Sequence, residues 1–200
     1  MRIPLLSAAL AATLALAPGP SPAGTYDVDG EHTSVTFRVR HLLTYVEGRF
    51  GTFEGSIDFD PAAPTTAKVK GSIDVASIDT NVKERDEHLR SADFFAAAEH
   101  PKITFESTTV SDVDAEAKRG KIHGNLTIRG VTKPVILEAA YVGQATDPWG
   151  NAKAGFSATT KINRKDFGLA WNKTLETGGV LVGDEIEIRI DAEASVPADE

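Results

Sequence analysis

Apolar and polar positions alternate with a period of two in eight separate stretches of the chain, the pattern of strands with one face inward and one in water. Val35, Phe37 and Val39 alternate with Thr36, Arg38 and Arg40. Phe53, Gly55, Ile57 and Phe59 form the second run, and Val69, Gly71, Ile73 and Val75 the third. Ile103, Phe105, Ser107 and Thr109 follow, then Ile122, Gly124, Leu126 and Ile128, then Val135, Leu137, Ala139, Tyr141 and Gly143. The seventh run is Ala152, Ala154, Phe156, Ala158, Thr160 and Ile162, and the eighth Ile186, Ile188 and Ile190. Turn signals at Asp60-Pro61, Asp112 to Gly120, Gly130 to Pro134 and Asp147 to Gly150 separate several of them. Short connections imply antiparallel neighbours. Eight such strands predict an all-β, up-and-down antiparallel barrel, which closes on itself and leaves no exposed edge; a two-sheet sandwich is the alternative.

Two segments break the alternation. From Asn81 to Ala98 the chain is charged and Ala-rich, which predicts two short helices between strands three and four, with Asn81 as an N-cap and Glu84 near the positive end of the helix dipole. The stretch from Ala170 to Val182, with Trp171 and Gly178-Gly179, is a second long excursion. Long loops over a barrel mouth often govern access to its interior.

Residue size on the inward faces bears on what the barrel contains. Gly55, Gly71, Gly124, Ala139, Gly143, Ala152, Ala154 and Ala158 lie among larger apolar residues, too many small side chains to fill a core at normal density. No charged residue falls on the inferred inward faces. An apolar lumen is therefore expected, binding its ligand by area: at about 25 cal/mol per Å², several hundred Å² of buried chain yields roughly 10 kcal/mol before entropic costs.

Composition narrows the compartment and the partners. Arg2, an apolar run from Leu5 to Ala17 and the stretch Pro18 to Gly24 read as a secretory signal peptide, with cleavage expected after Ala23 and Ala17 as the second choice. The run is shorter than the roughly 20 residues of a spanning helix. Residues 1–23 are thus the leader and 24–200 the mature domain, which implies a periplasmic or secreted protein. The 200 residues contain no cysteine and carry a formal net charge of −8, so disulfides and thiolate sites are excluded and nucleic-acid binding is disfavoured.

Several segments in this order resemble the YceI-like family of polyisoprenoid-binding proteins: His32 to His41, Gly51-Thr52-Phe53-Glu54-Gly55, Ile57 to Pro61, Ser77 to Thr80, Arg85 to Phe95, Pro101 to Ser107, Gly124 to Val135, Arg164-Lys165-Asp166-Phe167-Gly168 and Val182-Gly183-Asp184. Leu169-Ala170-Trp171-Asn172-Lys173 departs from that pattern. The resemblance implies a lipocalin-like barrel holding a polyprenyl chain or quinone tail, with no enzymatic role established for the family.

The ligand-binding residues expected in the lumen and portal are Val35, Phe37, Val39, His41, Phe53, Ile57, Phe94, Phe95, Phe105, Leu126, Leu137, Tyr141, Ala154, Phe156, Ala158, Trp171 and Ile188. Arg85, His88 and Arg90 are candidates to meet an anionic head group, against the alternative that they pin the helices to the barrel through ion pairs. Glu84 and His88 share a helix face but are too few ligands for a metal. No cofactor, metal or catalytic group is expected. The leading expectation is an isoprenoid carrier, in transient contact with a membrane or a membrane redox protein, and compatible with a homodimer. The competing expectations are an enzyme acting on a lipid-like substrate through His41 or His88, and an interaction module of a membrane redox or stress system.

Overall fold

The computed structural model describes residues 23–175 and 178–196; the expected leader, apart from Ala23, lies outside the described residues. The chain forms eight long antiparallel strands, each paired with the next, and the last with the first. The first three are bent and interrupted. β1 comprises Gly24–Val28 and Ser34–His41, β2 comprises Thr44–Phe50 and Phe53–Phe59, and β3 comprises Lys68–Asp74 and Ile78–Asp79. β4 (Lys102–Asp114), β5 (Arg119–Ile128), β6 (Val131–Thr146), β7 (Ala152–Asn163) and β8 (Val182–Ser195) are continuous. Closure comes from β8, which pairs with both halves of β1: Val28 opposite Ala194 and Val35 opposite Ile190.

The interruptions lie at one level. Asp29 to Thr33 leaves the β1 ladder beside Gly51-Thr52 of β2 and the 3₁₀ turn Val75–Ser77 of β3. Backbone bonds restore the broken ladder there, from Gly51 N–H to the Ser77 carbonyl at 3.2 Å and from Asp74 N–H to the Thr52 carbonyl at 2.9 Å. Such breaks give a sheet the curvature it needs to close around a lumen.

All eight expected strands are present, and the barrel replaces the sandwich. Three strand segments escaped the alternation pattern, Gly24–Val28, Thr44–Phe50 and the short Ile78–Asp79. The second of them, Thr44–Phe50, carries part of the lumen wall. In Thr44–Phe50 the inward position Gly48 has no side chain because the Phe37 ring occupies its place: a Cβ there would stand 2.4 Å from the ring. Gly124 is small for the same reason, with Phe105 across it. In β4 a bulge between Ser107 and Thr109 shifts the parity, so Val110 lines the interior in place of the expected Thr109.

The inserted segment contains one α-helix, α1 (Lys83–Arg90), where two were expected. Asn81 is not its cap: it adopts φ +61°, and its N–H donates to the Asp79 carboxylate at 2.8 Å. Val82 occupies the cap position without a side-chain bond. Asp86 secures the helix instead, one carboxylate oxygen accepting from the Thr80 N–H at 2.9 Å and its hydroxyl at 2.5 Å. Residues 91–100 continue as turns held by main-chain bonds such as Ala97 N–H to the Arg90 carbonyl.

α1, these turns and the 3₁₀ turn Arg164–Phe167 lie across one end of the barrel. Val75, Ile78, Phe94, Phe167 and Leu169 pack there as a buried cluster. A smaller cluster, Tyr26, Ile57, Ala154 and Ala194, packs between β1, β2, β7 and β8 towards the other end.

Candidate functional site

Inside the barrel is a cavity of about 630 Å³, within the range of roughly 300–1,000 Å³ usual for small-molecule sites. Its wall is nearly all aliphatic and aromatic. Val35, Phe37, Val39 and His41 of β1 line it, as do Phe53 and Ile57 of β2, Phe105 of β4, Leu126 of β5, Leu137 and Tyr141 of β6, Phe156 and Ala158 of β7, and Ile188 of β8. Phe94, Phe95 and Trp171 close it at the capped end. Sixteen of the seventeen expected lumen and portal residues are thus brought to one surface. The exception is Ala154, which the alternation places on the correct face but whose height along the barrel buries it against Tyr26, Ile57 and Ala194.

The small inward residues divide in the same way. Gly55, Gly71, Ala139 and Ala158 border the cavity, whereas Gly124, Gly143, Ala152 and Ala154 do not. Unrecognised from sequence were Val46 and Phe50, on the strand segment that the pattern missed, and Val110, behind the bulge.

The burial of the lining side chains matches an open interior. Phe37, Phe53, Phe105, Phe156, Ile186 and Ile188 all point inward yet remain only half-buried. Side chains in a filled core would touch neighbours on every side. Their free surface faces the lumen.

Two aromatic groups mark its ends. Under the cap His88, Phe94 and Trp171 stack mutually, with ring centroids 4.8 to 5.1 Å apart, and His88 Nε2 stands 3.0 Å from the Asp93 carboxylate. Towards the opposite end Phe59, Tyr141 and Phe156 make a second group, with centroids 4.9 to 5.6 Å apart.

The cap is held by arginines that donate mainly to main-chain carbonyls. Arg85 donates to the Thr80 hydroxyl and carbonyl, both at 2.7 Å, and Arg90 to the carbonyls of Ala76 and Ile78 at 2.9 and 2.8 Å. Arg90 does not border the cavity; Arg85 and His88 do. Both arginines thus hold the cap segment through hydrogen bonds rather than through the ion pairs of the pinning alternative. Arg129 joins the two halves of the cap through the carbonyls of Ala92 and Gly168.

Arg164 is a buried charged residue that the pattern did not reveal. It is 4% exposed, borders the cavity, and donates to the carbonyls of Gly183, Leu169 and Trp171 and to the Asp184 carboxylate. Burial lowers its pKa, and Asp184 counters the shift. Its place in the Arg164-to-Gly168 motif was the available signal, but a charged residue reads as exposed unless its acceptors are known.

A group of metal-ligating types lies on the outer wall, where β1 breaks: Asp29, His32 and Glu193. Lys153 Nζ already supplies a cation there, 2.8 Å from Asp29 and 3.3 Å from Glu193. Lys153 and His32 hold the Asp29 carboxyl far below the usual carboxylate range, and Asp29 in turn raises the pKa of His32. The group is an ionic staple on the wall.

Comparison with known proteins places this geometry. The YceI-like domain model matches residues 26–194. A UPF0312 protein of Shewanella baltica is 46% identical over 176 residues, 84% of this chain and 88% of its own, and one of Azotobacter vinelandii is 45% identical over 157 residues, 77% and 81%. BcnA of Burkholderia cenocepacia superposes with a TM-score of 0.73 at 25% identity, covering 84% of this chain and 99% of its own. The Campylobacter jejuni YCEI protein does so at 0.67 and 36%, covering 80% and 90%. A polyisoprenoid-binding domain from Saccharophagus degradans shares the fold at 0.61 and 15% identity, covering 86% and 98%. The chain belongs to the YceI-like family.

Proposed function

We propose that this protein binds a long apolar lipid, of the isoprenoid class, by enclosing its chain in the barrel lumen. The observation that carries the reading is the wall itself: inward phenylalanines and isoleucines left half-buried around about 630 Å³ of space. Exposed apolar surface inside a closed barrel is stabilised when a chain covers it, and the gain scales with area. No covalent step is needed for such binding. The isoprenoid class is supported by the family and by the S. degradans domain of the same fold.

The apolar run Leu5 to Ala17 supports export to the periplasm or medium, where a lipid carrier would exchange its cargo in transient contact with a membrane. N-terminal sequencing of the protein from fractionated host cells checks this, with Gly24 expected as the first residue.

Extraction of protein purified from its native host, followed by mass spectrometry, tests the lumen reading. A co-purifying isoprenoid at near one per chain is expected. An empty lumen, together with no binding of prenyl chains on titration, would overturn it.

A further inference from the structure

The capped end and the opposite end of the lumen differ in the state of their cations. At the cap, Arg85 and Arg164 border the cavity but donate to carbonyls already present, and every cavity residue there is buried or half-buried. At the other end the wall includes Lys118 and Arg119, on the hairpin joining β4 to β5, and both are exposed. The cavity therefore meets solvent at this hairpin.

Lys118 is held in place rather than waving in solvent. Its φ is +52°, its carbonyl accepts from the Tyr141 N–H at 2.9 Å, and its ammonium stands 5.7 Å from the Tyr141 ring centroid, at the edge of the aromatic group that floors this end. Neither Lys118 nor Arg119 has a carboxylate within ion-pair distance among the described residues. Lys121 of the same hairpin does, pairing with Asp112 at 2.7 Å. Asp114 also borders the cavity opposite Arg119, but one of its carboxylate oxygens accepts from the Ala117 N–H at 2.9 Å. Glu116, at the tip of the turn, does not border it.

We propose that Lys118 and Arg119 dock the oxyanion head group, a phosphate ester or carboxylate, of a lipid whose chain lies in the lumen with its tail towards the cap. This rests on the lumen reading above. A guanidinium fork and an ammonium at the mouth of an apolar channel suit an oxyanion, and charge-assisted bonds strengthen where apolar walls lower the local dielectric.

The test titrates the full chain, cleared of lipid, with three probes: geranylgeraniol, geranylgeranyl monophosphate and inorganic phosphate. Each is measured on the parent and on Lys118→Gln/Arg119→Gln, with thermal melting to verify that the exposed hairpin leaves the fold intact. The monophosphate is expected to bind the parent about tenfold more tightly than the alcohol, from one or two bonds to charged groups. That advantage should vanish in the double variant and shrink with salt, while affinity for the alcohol stays unchanged and inorganic phosphate alone fails to bind. Equal affinity for the two prenyl probes in the parent, or an advantage that survives the double substitution, overturns the head-group site and leaves the lumen reading standing. Binding of inorganic phosphate as tightly as the prenyl ester would assign the rim to free anions and also overturn it. Failure of both prenyl probes overturns the lumen reading together with this one.

Discussion

The cap and the lumen are built from the same kinds of residues and do opposite things with them. Under the cap Val75, Ile78 and Phe167 are each 1% exposed, and arginines satisfy the carbonyls that the irregular backbone leaves over. Along the lumen, Phe37, Phe105 and Ile188 also face inward, yet they border the cavity and stay only half-buried. Hydrophobicity alone does not make a core. One end of this barrel spends its apolar surface on stability, and its middle keeps apolar surface available for something else.

Substitutions should separate the two regions, and the largest effect is expected under the cap. Phe167→Ala removes a fully buried ring and should cost about 3–5 kcal/mol in denaturant unfolding. The same truncation at Phe105, half-buried beside the cavity, should cost less than half as much; equal costs would mean that the lumen is packed like the cap. Arg164→Met should cost about 2–3 kcal/mol, because three carbonyls and the Asp184 carboxylate lose a charged donor. The cap segment from Leu169 to Trp171 should then lose hydrogen-exchange protection first.

Filling is the converse of truncation. Ala158→Trp places a ring in the cavity and should abolish binding of a prenyl chain while shifting stability by less than about 1 kcal/mol, since there is space for it. Ala154→Trp, 1% exposed in the parent, has no such space and should unfold the protein or strain it by at least about 1–3 kcal/mol. Two alanines four residues apart on one face of β7 thus give opposite outcomes.

The smallest effect concerns the ionic staple on the outer wall. The depressed pKa of Asp29 contributes stability above the ordinary carboxylate range, about pH 4, and that contribution is lost as pH falls through its lowered folded value. The raised pKa of His32 contributes below about pH 6.5 and is lost as pH rises through its elevated folded value. Asp29→Asn removes both. Melting temperatures from pH 3 to 8 should show the gap between parent and variant widest between about pH 4 and 6.5, with prenyl binding unaffected at every pH.

Strand number and closure were legible in the sequence because one face of each strand is apolar for most of its length. What alternation cannot register is height along the barrel, so it assigned Ala154 and Ala158 the same role. It fails too where one residue's side chain fills another's place: Gly48 and Gly124 look like gaps but are covered by Phe37 and Phe105. The β4 bulge moved the inward position from Thr109 to Val110, a change of parity with no turn residue to announce it. Charged residues were the least legible. Arg85, Arg90, Arg129 and Arg164 serve main-chain acceptors, and those acceptors belong to irregular backbone that no periodic pattern describes.

The central claim, that a chain lies inside the barrel and not on its surface, is tested most directly with the two tryptophans. Trp171 borders the lumen under the cap, whereas Trp149 sits in the Asp147-to-Gly150 turn and is 84% exposed. A prenyl or alkyl chain carrying bromine at its tail is titrated against Trp149→Phe, which leaves Trp171 as reporter, and against Trp171→Phe, which leaves Trp149. Saturable quenching of Trp171 at one chain per protein, with Trp149 unquenched, is the predicted result. Quenching of Trp149 alone, or of both equally, would place the chain outside the barrel and contradict it.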